Sequence, residues 1–593
     1  MRVVWVVVAL VFSGCLTEDG TSDDATDDGA AGFTDTAVFS GDYDTEVMRT
    51  LTQGPFGIGA SEAVVLESAL DGVDIEMLVV RPDSSEPVPV VLIASPYFFP
   101  FVDLQNDPEA WMVAWEEDLL SHGYAWAYLS VRGTAGSGGC NDMVGHAERH
   151  DIDQAITWLG TQDWSNGHVG MVGGSYDANT QWAAASMGNP YLKTIVPLAG
   201  APSNYHEFVH NGSVKAWTPA QYFGFYWLVY GSGALGAADG HDRTLGHTVE
   251  LATCPGAVDH LVGSTETFLT SETGSTGIWE ERDYQDEVVA NYDGSIFLIS
   301  GLQDITVEPH GVFPFMDRLE AKGLAIKYLV GPWGHENAWR ADQAEMLLRW
   351  MDRWLKGDET IDLGPKALAM DTNGGWRAEP MWPPADANPL ALGLCEGTLC
   401  PEPAGGSAML LPTAPTQDPV EYADRFNGIW RQWDQPTGTL CPTCPTFTTG
   451  PLDEPLVFAG SPRLHLAVTP QGPGGHLTAL LHQVGADGVA VRVGQAIMDL
   501  RFHDGGQEPQ AVTPGSALVA KMQFQPLDVH VPAGSELVLT IEQGGYGVRW
   551  PTLPTYPIEL DYAGSTLVLD VIARASDGYH DAPARVGPEG PPR

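Results

Sequence analysis

Between residues 60 and 200 the chain alternates short apolar runs, rich in β-branched residues, with amphipathic stretches of helical period. The amphipathic stretches predict helices at 108–121 and 147–160. Strands and helices in this alternating series predict a mostly parallel sheet that is covered on both faces. The apolar runs predict strands at 64–68, 74–80, 88–94, 125–130, 168–173 and 194–198.

The alternation stops near Gly200 and resumes with predicted strands at 295–300 and 325–330. The block between them is rich in Trp, Tyr, Phe, His and Gly and lacks strand alternation, so it predicts a helical cap inserted over the sheet. After the second strand, residues 340–356 form an amphipathic pattern that ends in a basic residue and Gly357. A basic last turn followed by glycine is typical of a helix C-terminus.

After about residue 400 the pattern changes to Pro-, Gly- and Thr-rich turns between short alternating runs. Such a pattern predicts an all-β sandwich. The fold class is therefore α/β, with a second, all-β domain. The predicted division is a core in two parts (46–200 and 291–375), a helical cap (201–290), a β-sandwich (376–580) and a loose tail (581–593).

The first residues place one arginine before about ten apolar residues and a small-residue pair, which predicts a signal peptide at 1–14. The ending F-S-G-C resembles a prokaryotic lipobox, so Cys15 is expected to carry lipid, although Phe12 stands where leucine is usual. Residues 15–45 are acidic and contain no lysine or arginine, which predicts a disordered tether. We expect an exported, membrane-anchored lipoprotein, with simple secretion as the alternative.

Acidic residues outnumber basic residues 77 to 28, which gives a formal net charge of −49. This field repels phosphate backbones and anionic lipid surfaces, so no nucleic-acid partner is expected and the membrane is reached only through the lipid anchor. Strong acidity with few lysines is compatible with salty surroundings, where ions screen self-repulsion. An ordinary acidic exported protein shows the same balance, so both explanations stand.

Six cysteines follow Cys15, and an even number in an exported chain favours disulfides. The pair Cys395/Cys400 and the pair Cys441/Cys444 have spacings that also occur in zinc sites, and bridges are the preferred interpretation. The expected partner of Cys140, in the SGGC loop, is Cys254 in the cap. The rest of the connectivity is left open by the sequence.

The strongest chemical signal is Ser175, which lies between two glycines and Tyr176 at the junction of a predicted strand and a predicted helix. A tight turn of this kind is the nucleophile elbow of the α/β-hydrolase fold, in which strained backbone holds the serine hydroxyl above the sheet. Asp177 replaces the usual last glycine of G-x-S-x-G. A serine that only caps the following helix is the structural alternative.

A serine needs a base, and in this fold the triad order is serine, acid, histidine. His335 follows the predicted strand 325–330, and Asp304 follows the strand 295–300. Both are therefore expected at carboxyl ends of strands, where sites of open α/β sheets form. The rivals are His310 as base, and Asp293 and Glu308 as acid.

The oxyanion of an acyl-transfer intermediate needs hydrogen-bond donors that are fixed before the reaction. The backbone N–H of Tyr176, directly after the nucleophile, offers one donor. The hydroxyl of Tyr97, at the end of the strand 88–94, offers a second. A tyrosine at such a position is more often a packing residue.

A set of ordered motifs spans residues 60–357 and carries a family resemblance. The motifs are DGV (71–73), RPD (81–83), VPVVLIASPY (88–97), VRGTAGSGG (131–139), GMVGGSYDANTQW (170–182), WEERD (279–283), GLQD (301–304), GPWGH (331–335) and WMDRWLKG (350–357). The chain thereby resembles the cocaine esterase-like (CocE/NonD) and X-Pro dipeptidyl-peptidase hydrolases. The later β-rich region resembles the family's C-terminal jelly roll.

The resemblance implies a triad of Ser175, Asp304 and His335, with Tyr97 and the Tyr176 amide as oxyanion donors. The chain departs from the family pattern at two positions. Ala178 stands where the family's G-x-S-Y-x-G has glycine, and Ser130 stands where its D-x-R-G has aspartate. Neither departure removes a catalytic atom.

The expected function is acyl transfer to water from a small ester, an amide or a short peptide, without a metal or cofactor. An acidic cluster at 280–287 is a candidate for binding a substrate ammonium group, although such a run is more often a solvated face. The alternative function is an inert cell-surface binding protein that uses the jelly roll. The natural substrate and the oligomeric state are left open.

Overall fold

A computed structural model describes eleven stretches of the chain. The predicted signal peptide, lipidated Cys15 and tether (1–45) and the predicted tail (581–593) lie outside them, as do residues 216–252 of the predicted cap. Among the described residues, no helix is long and apolar enough to cross a membrane. The described stretches are 53–98, 114–215, 253–254, 256–272, 276–304, 306–335, 343–412, 440–441, 443–506, 508–544 and 556–572.

A twisted sheet of ten strands forms the first part of the molecule, in the order β1-β2-β4-β3-β5-β6-β9-β10-β11-β12. The strands β4 to β11 of this order run parallel, and antiparallel pairs occur at the two edges. The strands are β1 Ile58–Glu67, β2 Asp74–Pro82, β3 Val88–Ser95, β4 Ala125–Ser130, β5 Ser165–Gly174, β6 Leu192–Leu198, β9 Ser295–Gly301, β10 Ile326–Gly331, β11 Ala367–Met370 and β12 Trp376–Glu379.

Helices cover both faces of this sheet because its central strands are apolar on both sides. In β3, Val90 and Leu92 join one core, whereas Val91 and Ile93 join the core on the opposite face. This alternation follows from the two-residue period of a strand. The helices of the described residues are α1 Ala114–Ser121, α2 His146–Gly160, α3 Tyr176–Ser186, α4 Asn204–Phe208, α5 Ala257–Thr270, α6 Gln285–Asn291, α7 Phe313–Lys322 and α8 Ala344–Leu355.

Helices α2, α3, α6 and α7 supply apolar side chains to one core, and α1 and α8 supply them to the other. Helix α8 confirms the later part of the helix predicted at 340–356, whose first three residues lie outside the described stretches, and it buries Met346, Trp350 and Met351 against the sheet. The indole N–H of Trp350 donates to Thr194 Oγ1 at 2.7 Å. Gly357 follows with φ +73°, a conformation that glycine adopts without strain.

The sheet extends further along the chain than the sequence predicts. Strand β12 pairs antiparallel with β11, so the core sheet continues beyond the boundary predicted at residue 375. The physical reason is burial, since Trp376 is 1% exposed and its ring lies 6.3 Å from that of Trp333. At the other edge, β1 is six residues longer at its start than the predicted strand 64–68.

The described part of the cap contains a hairpin that the sequence analysis missed. Strands β7 Val209–His210 and β8 Ser213–Val214 pair antiparallel, and the turn residues Asn211 and Gly212 have φ +48° and +69°. Asn-Gly is the favoured dipeptide for such a turn, and it was the available signal. Helices α4, α5 and α6 and a 3₁₀ turn at Glu280–Arg282 form the helical remainder.

The remaining strands form a C-terminal β-rich domain, in one sheet of twelve strands around its own apolar core. Its presence confirms the predicted α/β core followed by a β-rich domain. The strands are β13 Asn388–Cys395, β14 Thr398–Cys400, β15 Ser407–Leu410, β16 Thr446–Thr448, β17 Leu456–Gly460, β18 Arg463–Pro470, β19 His476–Val484, β20 Ala490–Asp499, β21 Leu518–Gln523, β22 Leu527–Val531, β23 Glu536–Glu542 and β24 Ile558–Val571.

Buried polar contacts join this domain to the core. The guanidinium of Arg377 in β12 donates to Asp528 at 2.7 Å and to Glu379 at 2.9 Å, and all three side chains are buried. The indole of Trp382 also donates to Asp528, at 3.0 Å. Isolated charges in such a position are costly, so the mutual pairing is required for burial.

The described residues contain three disulfides, and the expected bridge between Cys140 and Cys254 is one of them. It joins the loop after β4 to the cap across 114 residues. The two close pairs, whose spacings also suit zinc, are bridges as well: Cys395–Cys400 and Cys441–Cys444.

Candidate active site

Ser175 lies at the sharp turn between β5 and α3, as the elbow pattern predicts. Its backbone has φ +61° and ψ −124°, an unusual conformation for a residue with a side chain. The Ser175 N–H donates to the carbonyl of Leu198 in β6 at 2.9 Å, which fixes the turn to the sheet. The Ser175 side chain makes no capping hydrogen bond to α3, so the helix-cap alternative has no support.

Close packing around the turn explains why residues 173 and 200 are glycines. A Cβ on Gly173, where φ is +152°, would lie 2.5 Å from the Cβ of Asp177. A Cβ on Gly200 would lie 2.2 Å from that of Ala178, the methyl that replaces the family's glycine. The contact between helix and strand therefore accommodates Ala178 because residue 200 is itself a glycine.

Asp304 and His335 meet at the carboxyl ends of β9 and β10. The ring Nδ1 of His335 lies 2.7 Å from Oδ2 of Asp304. The other carboxylate oxygen, Oδ1, accepts the backbone N–H groups of Thr306 at 2.7 Å and Val307 at 2.9 Å. Asp304 is 1% exposed, so these donors hold the carboxylate in one orientation.

The surroundings of His335 favour its charged form. Burial opposes protonation of the ring, but the charge of Asp304 and its hydrogen bond outweigh burial and raise the pKa of His335. The negative charge of Glu207 acts in the same direction. Since a carboxylate can only accept, Nδ1 carries the proton in the neutral ring, and Nε2 is left as the basic atom.

The two tyrosines assigned to the oxyanion site are neighbours. Their rings lie 6.3 Å apart at an angle of 72°, with Tyr97 at the end of β3 and Tyr176 at the start of α3. The backbone N–H of Tyr97 donates to Ser95 Oγ at 3.1 Å. The hydroxyl of Tyr176 donates to the carboxyl group of Glu148 in α2, at 2.9 and 3.1 Å to its two oxygens.

Glu148 is an unusual partner because it is fully buried. Burial, with a contribution from nearby Asp142, raises the pKa of Glu148 to about 8. The pKa of Glu148 is thus higher in the folded protein than the ordinary value of 4.5. Its contribution to stability is therefore fully present below about pH 4.5 and is lost as the pH rises through about 8. Glu148 therefore holds the Tyr176 side chain as a neutral acid at pH 7.

We expect the substitution Glu148→Gln to make the protein more stable than the wild type at pH 9. Glutamine keeps the size of the side chain and carries no charge at any pH, so the cost of ionising a buried group disappears. The expected gain is at least about 1 kcal/mol in the free energy of unfolding. The measurement is urea unfolding at pH 5 and pH 9. An equal difference between the proteins at both pH values would contradict the assignment.

The structure separates the rival acids and bases from the triad position. Asp293 is exposed and forms an ion pair with Lys322 at 3.0 Å. Glu308 and His310 lie on the loop after Asp304, where Glu308 is 3.3 Å from His310 and 3.7 Å from His210. Among the described residues, this trio is one of two groups that could hold a metal, and the other includes the bridged Cys441 and Cys444.

Sequence reasoning missed two buried charges beside the triad. Lys215 is 0% exposed and donates its ammonium to the carbonyl of Thr306 at 2.6 Å. Glu207 in α4 is 3% exposed and accepts from Asn179 Nδ2 at 3.1 Å. Burial raises the pKa of Glu207, and the charge of Lys215 opposes that rise. The only available signal was Lys215 itself, because the chain has just seven lysines.

Ser130 stands where the family pattern has aspartate, and other carboxylates take over the pairing with Arg132. The guanidinium of Arg132 donates to Asp151 at 2.7 Å and to Asp71 at 3.1 Å. Asp151 also accepts from Ser68 Oγ at 2.6 Å. Arg132 is therefore paired although residue 130 is a serine.

Arginines also engage the acidic cluster at 280–287. Glu281 pairs with Arg282 at 3.0 Å. Asp286 and Glu287 pair with Arg318 and Arg149, respectively. The cluster is mostly exposed, so it is better explained as a solvated face than as an ammonium site.

Two family profiles match consecutive parts of the chain. Residues 71–337 match the family described as X-Pro dipeptidyl-peptidase (S15 family). Residues 364–580 match the X-Pro dipeptidyl-peptidase C-terminal non-catalytic domain. The first match contains all five site residues named above, and the second contains the β-rich domain.

Individual relatives are similar at low identity. A protein named putative Xaa-Pro dipeptidyl-peptidase, from Streptomyces avermitilis, is 25% identical over 466 residues, which are 72% of this chain and 64% of the relative. The chain thus spans slightly less than two thirds of that relative. A protein named cocaine esterase, from a Rhodococcus species, is 24% identical over 517 residues, 78% of this chain and 87% of the relative.

Solved structures show the same fold. A CocE/NonD family hydrolase from Staphylococcus aureus superposes with a TM-score of 0.66 at 15% identity. The superposition covers 88% of this chain and 99% of the other. The similarity therefore extends through the core and the β-rich domain.

Proposed function

Because this chain belongs to the X-Pro dipeptidyl-peptidase (S15) family, we propose that it is a serine hydrolase that cleaves ester or peptide bonds through an acyl-enzyme. One observation carries the proposal: His335 Nδ1 lies 2.7 Å from a fixed Asp304 carboxylate, at the sheet end where the Ser175 turn is built. This is the arrangement that a serine needs to act as a nucleophile at neutral pH.

In the proposed reaction, Nε2 of His335 takes the proton of Ser175 Oγ as that oxygen attacks the substrate carbonyl. Asp304 keeps the ring in the required tautomer and stabilises the charged ring that forms. The proton then passes to the leaving group, which departs and leaves an acyl-serine. Water, deprotonated by the same ring, releases the acyl group and restores the free serine.

The developing oxyanion is stabilised by donors that do not have to reorganise. We assign this role to the backbone N–H of Tyr176 and the hydroxyl of Tyr97. The start of α3 contributes as well, because unpaired N–H groups at a helix N-terminus favour negative charge. The hydrogen bonds of Tyr176 to the buried Glu148 hold the start of this helix against α2.

The proposed substrates are short peptides with proline as second residue and simple esters, as the names of the relatives suggest. Glu207 supports recognition of a cationic amino terminus, because it places a buried carboxylate whose charge reaches His335. Lys215 partly offsets this charge, so the net field at the site is set by both residues.

We expect the full chain to hydrolyse Ala-Pro-p-nitroanilide and p-nitrophenyl acetate, both in a Ser175-dependent manner. The measurement is kcat/KM for each compound, with N-acetyl-Ala-Pro-p-nitroanilide as a matched substrate that lacks the ammonium group. A carboxylate that binds the ammonium makes the free peptide the better substrate by about tenfold. Activity on the ester alone would refute the peptidase part and leave the esterase part.

The alternative of an inert binding protein is not favoured by these observations. A protein that only binds a partner through the β-rich domain has no need of a hydrogen bond between His335 and Asp304 or of a strained turn at Ser175, and both are present. Strain of this kind persists only where the surrounding structure enforces it. Labelling with a fluorophosphonate probe separates the two functions directly.

A further inference from the structure

Three side chains outside the triad converge behind the loop that follows Asp304. His210 ends the hairpin strand β7, and Glu308 and His310 lie four and six residues after Asp304. Nδ1 of His310 is 3.3 Å from Oε2 of Glu308, and Nδ1 of His210 is 3.7 Å from the same oxygen. Glu308 is 1% exposed, and the two histidine side chains are 10% exposed.

The orientation of His310 calls for a cation in this trio. Its Nε2 lies 3.2 Å from the carbonyl oxygen of Val209, and because a carbonyl can only accept, Nε2 carries the proton. In the neutral ring, Nδ1 then carries a lone pair, and it lies 3.3 Å from Oε2 of the Glu308 carboxylate. Two acceptor atoms 3.3 Å apart repel each other unless a proton or a metal ion lies between them.

We propose that His210, Glu308 and His310 bind a divalent transition-metal ion of the Zn²⁺ type. Two imidazole nitrogens and one carboxylate oxygen are a common zinc donor set, which leaves one position for water. Bonds of about 2.0–2.1 Å in a tetrahedron place the donors about 3.3 Å apart, which matches the contact between His310 and Glu308.

Binding of one ion also requires the two imidazole rings to turn. All three donor atoms lie within 4.8 Å of one another. The two rings are stacked, with centroids 3.9 Å apart and planes 11° apart, so both must turn towards each other before their Nδ1 lone pairs can point at the same ion. The carbonyl of Val209 supplies the outer hydrogen bond that orients a metal-binding histidine.

The position of the site gives it a structural role. The ion joins the hairpin of the cap to the loop that carries Asp304, whose Oδ1 is held by Thr306 and Val307 in the same loop. Binding therefore stabilises the loop in the orientation that serves the triad. These residues do not touch the reacting atoms, so acyl transfer does not run through the ion.

The test measures metal uptake by the full chain after treatment with EDTA. His146 and His150 lie four residues apart on α2, with ring centroids 4.5 Å apart, a spacing that itself chelates metals. All variants are therefore made in a background with His146→Gln and His150→Gln. Equilibrium dialysis with ZnCl₂ gives the stoichiometry, and the visible spectrum with CoCl₂ reports tetrahedral coordination.

The background protein is expected to bind Zn²⁺ at this site, with a rise in Tm of a few degrees at saturating metal. His310→Gln and His210→Gln are each expected to lose one equivalent of Zn²⁺ per chain, the Co²⁺ spectrum and the rise in Tm. Two independent variants guard against misfolding, which circular dichroism checks. Unchanged uptake and Tm shift in both variants, or no uptake by the background protein, overturns the proposal and leaves a proton as the shared cation.

Discussion

Replacing Ser175 with alanine is expected to lower kcat by a factor of about 10⁴–10⁶ on every substrate that the protein cleaves. The hydroxyl is the only atom of Ser175 that the proposed chemistry uses, and the alanine side chain fits the same turn. KM is expected to change little, because the binding surface and the oxyanion donors remain. The measurement is steady-state hydrolysis of p-nitrophenyl acetate.

A fluorophosphonate probe tests the same residue without assuming a substrate. The wild type is expected to be labelled and Ser175→Ala is not, whereas Ser85→Ala, in an exposed turn, is labelled like the wild type. Absence of labelling in the wild type would support the inert binding protein. Equal labelling of wild type and Ser175→Ala would move the nucleophile to another serine.

The substitution Asp304→Asn is expected to reduce kcat by about 10⁴-fold. The asparagine side chain keeps the shape of aspartate, but its amide group favours the wrong tautomer of His335. The raised pKa of His335 should also fall, since Asp304 is the main group that raises it. The residual activity should therefore persist to lower pH than in the wild type, because the basic, neutral ring exists over a wider range.

The matched control is Asp293→Asn, which changes the rival acid on the same stretch of chain. Asp293 is exposed and paired only with Lys322 in the contacts described, so this variant should keep the wild-type rate. The measurement is the pH dependence of kcat/KM for all three proteins. An acidic limb at the same pH in Asp304→Asn and wild type would show that Asp304 does not control His335.

The sequence was sufficient to predict where on the fold the three proposed triad residues lie. Parallel strands place their carboxyl ends at one edge, so residues following predicted strands were expected to meet there. The structure brings Asp304 and His335 together at hydrogen-bond distance, and Ser175 has the strained backbone of an elbow. The roles of these residues in catalysis stay predictions until the variants are measured.

Other features depend on contacts between distant segments, which local patterns do not encode. Glu207 and Lys215 lie in a short helix and just after a hairpin, and only folding brings them next to the loop after Asp304. The predicted division placed strand β12 in the β-sandwich, whereas the structure places it in the core sheet. A strand of four residues is too short for its periodicity to show which sheet it joins. Its burial is decided by partners such as Trp333, far away in sequence.

The ion pair of Arg377 and Asp528 has a consequence for how the protein holds together. Both charges are buried: Asp528 is matched by Arg377 of the core, and Arg377 is matched by Asp528 and by Glu379 of its own strand. Separating the β-rich domain from the core would take the guanidinium of Arg377 and the indole of Trp382 away from Asp528. We therefore expect the two parts to unfold together, although the C-terminal family match begins at residue 364 and so takes in strands β11 and β12 of the core sheet.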